Sequence, residues 1–264
     1  MRRLLPALLS LALAGPAMSH EFWIEPLDYT VAPGARIEAK TINGEEFAGI
    51  EYGYSEGAFK RSGVIGGGQT NGVPGEMGQK PAFNVPTQGD GLHILYHASP
   101  VSTLTYANYT KFERFVKGKR LDWALEEHAA LKLPTEDIRE SYFRYVKALV
   151  AVGSGAGADR PVGMPYELVA LDNPYTSGGD IRVAVLLGGE PAANVPVFVF
   201  VREGEAVEEL KLTTGAEGQV SVPRRAGAEY MVNAVHIGLP GEQIKSVTKA
   251  HWQTLWAALT YRIE

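Results

Sequence analysis

His20 could take part in chemistry because of its position, since it follows a segment typical of a cleaved signal peptide. Arg2 and Arg3 precede a short apolar run, residues 4–14, which is too short to span a bilayer. Ala17-Met18-Ser19 then offers the small residues that signal peptidase accepts, so we expect cleavage between Ser19 and His20. The prediction is that residues 1–19 are removed and that the exported product, which we place in the bacterial periplasm, begins at His20.

A histidine at a free N-terminus can chelate a metal ion through its α-amine and its Nδ1 atom. The reference pKa values of these groups, roughly 7.7–8.0 and 6.5, let both lose a proton to a metal near neutral pH. Nitrogen donors suit nickel, cobalt, copper and zinc ions. A histidine brace binds its metal ion through these two groups and needs one or two further ligands, usually histidines. If cleavage falls elsewhere, or leaves this histidine without a partner, no such site forms.

Five other histidines could supply the further ligand. His236 is the first choice because it lies near the end of a predicted strand, just before a glycine-rich turn. His97 is the second choice. His93 and His97 would share a face of one strand but lie roughly 13 Å apart, so at most one belongs to a mononuclear site. His128 falls on the apolar stripe of a predicted helix, which favours a packing role.

Composition excludes several classes of function. The chain of 264 residues has no cysteine, so disulfides, thiolate metal sites, iron–sulfur clusters and a cysteine nucleophile are all excluded. Its formal net charge of −5 gives no electrostatic reason to expect nucleic acid as a partner. No later segment is apolar enough for a membrane span, and no nucleophile elbow, phosphate-binding loop or zinc-protease motif is present. We therefore expect a protein that is not an enzyme.

The pattern of short strands and turns predicts a mostly β protein with a helical insertion, built from two immunoglobulin-like or prealbumin-like β-sandwich domains. Residues 20–160 form the predicted N-terminal β domain, in which residues 64–77 read as a long glycine-rich loop. Residues 161–264 form the predicted C-terminal immunoglobulin-like β-sandwich. Its seven candidate strands are residues 166–171, 181–187, 195–202, 208–213, 219–222, 229–237 and 255–263.

The helical insertion is predicted at about residues 109–150. Phe112, Phe115 and Val116 have helical spacing, and a second helical rhythm follows them. A third helix is expected after Pro134, with Thr135 as its N-cap. The aromatic residues Phe22, Trp23, Trp252 and Trp256 either line a ligand groove or, as we favour, pack the two ends of the chain together.

Five segments in order resemble an exported bacterial family of unknown function, whose members are often labelled the periplasmic component of a cobalt or nickel uptake system. The segments are residues 20–24 (HEFWI), 111–115 (KFERF), 139–149 (RESYFRYVKAL), 165–174 (PYELVALDNP) and 252–261 (WQTLWAALTY). The resemblance implies two β domains with an inserted helical segment and an N-terminal histidine at a metal site. Related nickel-uptake proteins have a second histidine two residues after the first, where this sequence has Phe22.

Together these features predict a periplasmic protein that binds a transition metal ion (nickel, cobalt or copper) through His20 and serves its uptake or delivery. An inner-membrane metal transporter is the partner that such a role implies. One alternative is a non-catalytic binding module of the cell envelope that uses no metal. A second alternative is a copper enzyme built on the same histidine brace.

Overall fold

Strands dominate residues 20–264, the part of the chain that the computed structural model describes, which confirms the mostly β prediction. The predicted signal peptide lies outside the described residues. The strands are β1 (Glu21–Pro26), β2 (Thr30–Val31), β3 (Arg36–Glu45), β4 (Ala48–Tyr52), β5 (Ser62–Gly66), β6 (Gln69–Gly72), β7 (Phe83–Pro86), β8 (Gly91–Ala98), β9 (Ser102–Asn108), β10 (Glu136–Val152), β11 (Tyr166–Ala170), β12 (Ile181–Leu187), β13 (Glu190–Pro191), β14 (Pro196–Glu203), β15 (Ala206–Thr213), β16 (Gln219–Val222), β17 (Glu229–Gly238) and β18 (Trp252–Arg262). The helices are α1 (Glu56–Phe59), α2 (Tyr109–Gly118), α3 (Trp123–Ala130) and α4 (Glu242–Thr248).

One large sheet forms the middle layer of the molecule. Its strand order is β15-β14-β17-β18-β10-β8-β5-β6, and β2 and β9 also pair with β10. A smaller N-terminal sheet contains β1, β3, β4 and β7, and a C-terminal sheet contains β11, β12, β13 and β16. The smaller sheets pack on opposite faces of the large sheet, an arrangement that a β-sandwich description fits.

The alternation of side chains along β17 explains the layering. Tyr230 and Val232 face the core shared with the C-terminal sheet. Met231 faces the N-terminal sheet, and Val235 faces the helices α2 and α3, which cover the rest of that second face. Because both faces of β17 are covered, its residues are buried at odd and even positions alike.

The helical insertion is shorter than predicted. Helices α2 and α3 confirm the first two predicted helices, and Phe112, Phe115 and Val116 are buried as expected. The prediction of a third helix after Pro134 is wrong, because the segment forms the long strand β10. Tyr145 and Val146 face opposite cores of the large sheet. Because the second half of β10 is buried on both faces, apolar residues occupy odd and even positions alike there, and their spacings of three and four also fit a helix.

Two other predictions concern the segments between strands. The prediction of a long loop at residues 64–77 is wrong in part. This segment contains the end of β5 and all of β6, which are joined by a turn at Gly67 and Gly68. The predicted domain boundary after residue 160 falls between β10 and β11, outside any strand. The large sheet nevertheless takes strands from both sides of that boundary.

Within residues 20–264, no helix has the length and apolar character that a membrane crossing requires.

Candidate metal centre

His20 lies immediately before β1, and two contacts fix its backbone. The buried Glu21 side chain forms an ion pair with Lys119, at the end of α2. The guanidinium of Arg144, on β10, donates a hydrogen bond of 3.3 Å to the carbonyl oxygen of His20. Arg144 also lies over the ring of Phe22, 5.4 Å from its centroid. The chain start expected after cleavage is therefore attached to the large sheet and to the helical insertion.

The imidazole of His20 lies beside a carboxylate of the neighbouring strand. Its Nδ1 atom is 3.1 Å from Oε1 of Glu45, the last residue of β3. The antiparallel register of β1 and β3, in which Glu21 pairs with Gly44 and Phe22 with Asn43, accounts for this proximity. Both side chains remain partly exposed, so the pair is accessible to solvent.

A groove of about 740 Å³ opens at this end of the N-terminal sheet. It is lined by His20, Asn43, Gly44, Glu45, Glu46, Ala48, Gly49, Ile50, Glu205 and Val207. Three of these residues carry carboxylates, and none of them is a lysine or arginine. Such a concentration of negative charge favours a cationic ligand.

The hairpin between β3 and β4 shapes the floor of the groove. Glu45 pairs with Ala48, so Glu46 and Phe47 form a two-residue turn, and both have positive φ angles of 50° and 64°. A turn of this kind usually requires glycine or asparagine. Here the ring of Phe47 packs on Trp23 at 6.1 Å, and this burial stabilises a strained backbone. The turn thereby holds Glu46 at the groove.

Glycine is required at two facing positions of this hairpin. Gly44 and Gly49 are register partners, and a Cβ atom on Gly44 would lie 1.9 Å from the carbonyl oxygen of Ala48. A Cβ atom on Gly49 would lie 2.4 Å from the carbonyl oxygen of Asn43. The two strands therefore approach closely next to His20, and no side chain from either glycine fills the groove.

His236, the first-choice ligand partner, lies on the other side of the large sheet. Its ring is half-buried and packs against Tyr166 of the C-terminal sheet, with 5.9 Å between ring centroids. Burial lowers the pKa of His236. His20 precedes a strand that packs on the opposite face, so the structure does not bring these two histidines together.

His97, the second choice, lies nearer to the N-terminal sheet but is enclosed. Its Nδ1 atom is 2.8 Å from the hydroxyl oxygen of Ser62, and its ring packs on Phe22 and Phe59. Burial, and next the charge of Arg144, lower the pKa of His97 to about 4. Phe22 is the residue of β1 that contacts His97, through its ring, and the imidazole is neutral at physiological pH.

The remaining histidines are engaged in the fold. His128 accepts a hydrogen bond from the indole nitrogen of Trp252 and contacts the carbonyl oxygen of Pro134, which confirms its packing role. His93 is fully buried and accepts from the backbone of Gln88. His251 accepts from the backbone nitrogen of Arg139.

The terminal aromatic residues are buried, as favoured, but the N-terminal pair and the C-terminal pair belong to two different core clusters and do not pack the chain ends together. Trp23, Trp252 and Trp256 are almost completely buried, and Phe22 nearly so. Within residues 20–264, no three side chains of histidine, aspartate or glutamate are grouped closely enough to hold a metal ion by themselves. A site at His20 therefore depends on ligand atoms of other kinds, such as the α-amine that cleavage would create.

Glu45 and Asn43 are the groove residues that sequence reasoning missed. Both lie near the end of β3, which continues to Glu45. The chain has 30 acidic residues, so neither the type nor the position of Glu45 distinguishes it. Only the pairing of β3 with β1 places it beside His20.

A family model described as a domain of unknown function (DUF4198) matches residues 17–238. The search of curated proteins found no match. Among solved structures, the chain is similar to Escherichia coli alpha-2-macroglobulin activated by porcine elastase, at 13% identity and a TM-score of 0.22. That alignment covers 93% of this chain but 20% of the other, so the chain spans about a fifth of its length.

Proposed function

The chain belongs to the DUF4198 family, whose function is not defined, and from its own residues we propose a periplasmic protein that binds a transition metal ion. The ion is nickel, cobalt or copper, and the role is its uptake or its delivery to an inner-membrane transporter. The supporting observation is the location of His20 at a groove that carries three carboxylates and no cationic side chain. After cleavage, the same residue would add an α-amine to its imidazole.

The fixed backbone at His20 strengthens this proposal. A chelating residue on a disordered terminus loses conformational freedom when it binds, and that loss lowers affinity. Here the hydrogen bond from Arg144 and the ion pair between Glu21 and Lys119 hold the residue in place before any ion arrives. Preorganisation of this kind favours tight binding at a site with few ligands.

Titration of the processed protein tests the proposal. We expect one Ni²⁺, Co²⁺ or Cu²⁺ ion per chain by calorimetry, after the intact mass has shown that the chain begins at His20. His20→Ala should abolish stoichiometric binding. A variant with one alanine inserted before His20 keeps the imidazole but moves the α-amine, and its affinity should fall by at least about tenfold.

His236→Ala is the matched control, because this histidine lies on the opposite face of the large sheet. It should bind the ion with unchanged affinity. Binding that persists in His20→Ala would overturn the proposal. Loss of binding in His236→Ala, with the fold intact by circular dichroism, would instead support the ligand pair expected from sequence.

A binding module without metal is the second candidate, and the edge of the N-terminal sheet favours it. Among the strands of residues 20–264, β4 pairs only with β3, and its residues Ile50 and Tyr52 are 70% and 51% exposed. An open edge with exposed apolar side chains can accept a strand of a partner protein. If the processed protein binds no metal ion, a partner protein that cross-links in cells to the wild type but not to Tyr52→Lys would assign this edge to partner binding.

A further inference from the structure

We propose that Glu45 and Asn43 supply the oxygen ligands of the His20 site, which makes it selective for divalent ions over Cu⁺. This inference rests on the proposed function and names the rest of its ligand set. The site would combine two nitrogens of His20, the α-amine and Nδ1, with a carboxylate oxygen and an amide oxygen. All four groups belong to β3 or to the residue that precedes β1.

The separation of His20 and Glu45 matches that of two ligands on one ion. Their Nδ1 and Oε1 atoms lie 3.1 Å apart. Two donor atoms that are each about 2.1 Å from an ion, at an angle of about 90–95°, are about 3.0–3.1 Å from each other. A metal ion can therefore enter between imidazole and carboxylate with little movement of either group.

Asn43 adds an oxygen that has no other role in the fold. Its Oδ1 atom is buried and has no hydrogen-bond partner among the residues that the structure describes. Leaving such a buried atom without a hydrogen bond destabilises the fold. Asn43 and Glu45 are two residues apart on β3, so their side chains lie on the same face, and both line the groove. A bound cation would satisfy the amide oxygen.

The ligand chemistry determines the class of ion. The chain has no cysteine, and no methionine lines the groove, so the soft sulfur ligands that favour Cu⁺ are absent from it. Imidazole and amine nitrogens together with carboxylate oxygen suit Ni²⁺, Co²⁺, Cu²⁺ and Zn²⁺. The acidic side chains Glu46 and Glu205 increase the preference for a doubly charged ion over a singly charged one.

Metal titrations of Glu45→Gln and Asn43→Ala, in the processed protein, test this inference. Glu45→Gln should weaken Ni²⁺ and Cu²⁺ binding by at least about tenfold, and Asn43→Ala by less, because a neutral amide is the weaker ligand. Glu190→Gln is the matched control, because Glu190 is exposed on β13 of the C-terminal sheet. Competition with a chromogenic Cu⁺ chelator should show that Cu⁺ binds more weakly than Cu²⁺.

A spectroscopic measurement separates ligation from a structural effect. The electron paramagnetic resonance spectrum of the Cu²⁺ form should change in Glu45→Gln, while the melting temperature of the metal-free protein stays within about 1 °C because Glu45 is half-exposed. If Glu45→Gln binds with unchanged affinity and spectrum while His20→Ala does not bind, this inference is overturned and the proposed function stands. If His20→Ala also binds normally, both fail.

Discussion

Glu140 is a buried carboxyl group whose ionisation depends on the two strands beside β10. The hydroxyls of Tyr106 and Thr254 donate hydrogen bonds to its two oxygens. Burial raises the pKa of Glu140 to about 7, although both hydrogen bonds and the charge of Arg144 lower it. The native state therefore binds this proton more tightly than the unfolded chain, in which a glutamate titrates near pH ~4.3.

The raised pKa predicts that Glu140 makes stability fall as pH rises from about 4.5 to about 7. Glu140→Gln mimics the protonated form at every pH. We measure the free energy of unfolding of both proteins with urea at several pH values. The value for Glu140→Gln minus the value for the wild type should increase steadily across that window. His97 has a lowered pKa of about 4 and the opposite pH dependence, but it is present in both proteins and cancels in the difference. A constant difference between the two proteins would contradict the prediction.

Helix α2 holds the start of β1 through the residue that caps its end. Lys119 follows Gly118, its ammonium lies 5.3 Å and 5.1 Å from the ring centroids of Phe198 and Trp256, and it pairs with the buried Glu21. The helical insertion thus connects the N-terminal sheet to the large sheet. Its place in the sequence, between β9 and β10, gives no sign of this contact.

Lys119→Met should destabilise the protein by about 3 kcal/mol, because it leaves the Glu21 carboxylate buried and unpaired. Hydrogen exchange of the β1 amides should become faster than in the wild type. Lys117→Met is the control, because Lys117 pairs with Glu113 one helical turn away on the exposed surface and should change little. Equal effects of the two substitutions on urea unfolding would argue against an anchoring role for Lys119.

The large sheet makes the two halves of the chain depend on each other. Strand β10 pairs in parallel with β18, from Glu140 beside Trp252 to Ala148 beside Thr260. The hydroxyl of Thr260 also donates a hydrogen bond of 2.6 Å to the carbonyl oxygen of Ile24. Contacts between the first and last strands favour a single cooperative unit.

A buried ionic cluster links the large sheet to the C-terminal sheet. Lys147 of β10 lies 2.7 Å from Asp159 and 3.4 Å from Glu167, and all three side chains are buried. The backbone nitrogens of Val162 and Met164 donate to Glu167, so the segment that connects β10 to β11 is held by the same cluster. Every proton of the ammonium has an acceptor, since Lys147 also donates to the carbonyl oxygen of Arg160.

Lys147→Met should lower the free energy of unfolding by about 3–5 kcal/mol, because two carboxylates would remain buried without their cation. Because one sheet spans both halves, unfolding should stay a single transition in which amides of β3 and β12 lose protection from hydrogen exchange together. Lys211→Met, at an exposed pair on β15, is the control and should have little effect. Two separate transitions would show that the halves fold independently.

The sequence alone predicted the mostly β class, the helix around Phe112 and the helix that follows it. It also predicted seven of the eight strands that follow residue 161, because their turns carry glycine, proline and asparagine at regular spacing. It could not predict β10. A strand buried on both faces has no alternation of apolar and polar residues, and its residues 145–149 also suit a helix.

The neighbours of His20 were decided by tertiary structure. Local sequence identified the residue that cleavage would expose, since a signal peptide is recognised from contiguous residues. Which groups surround it depends on how β1 pairs with β3 and on which face of the large sheet that pair covers. Those choices are made by packing between segments far apart in the chain, and they put Glu45 beside His20 and His236 on the opposite face.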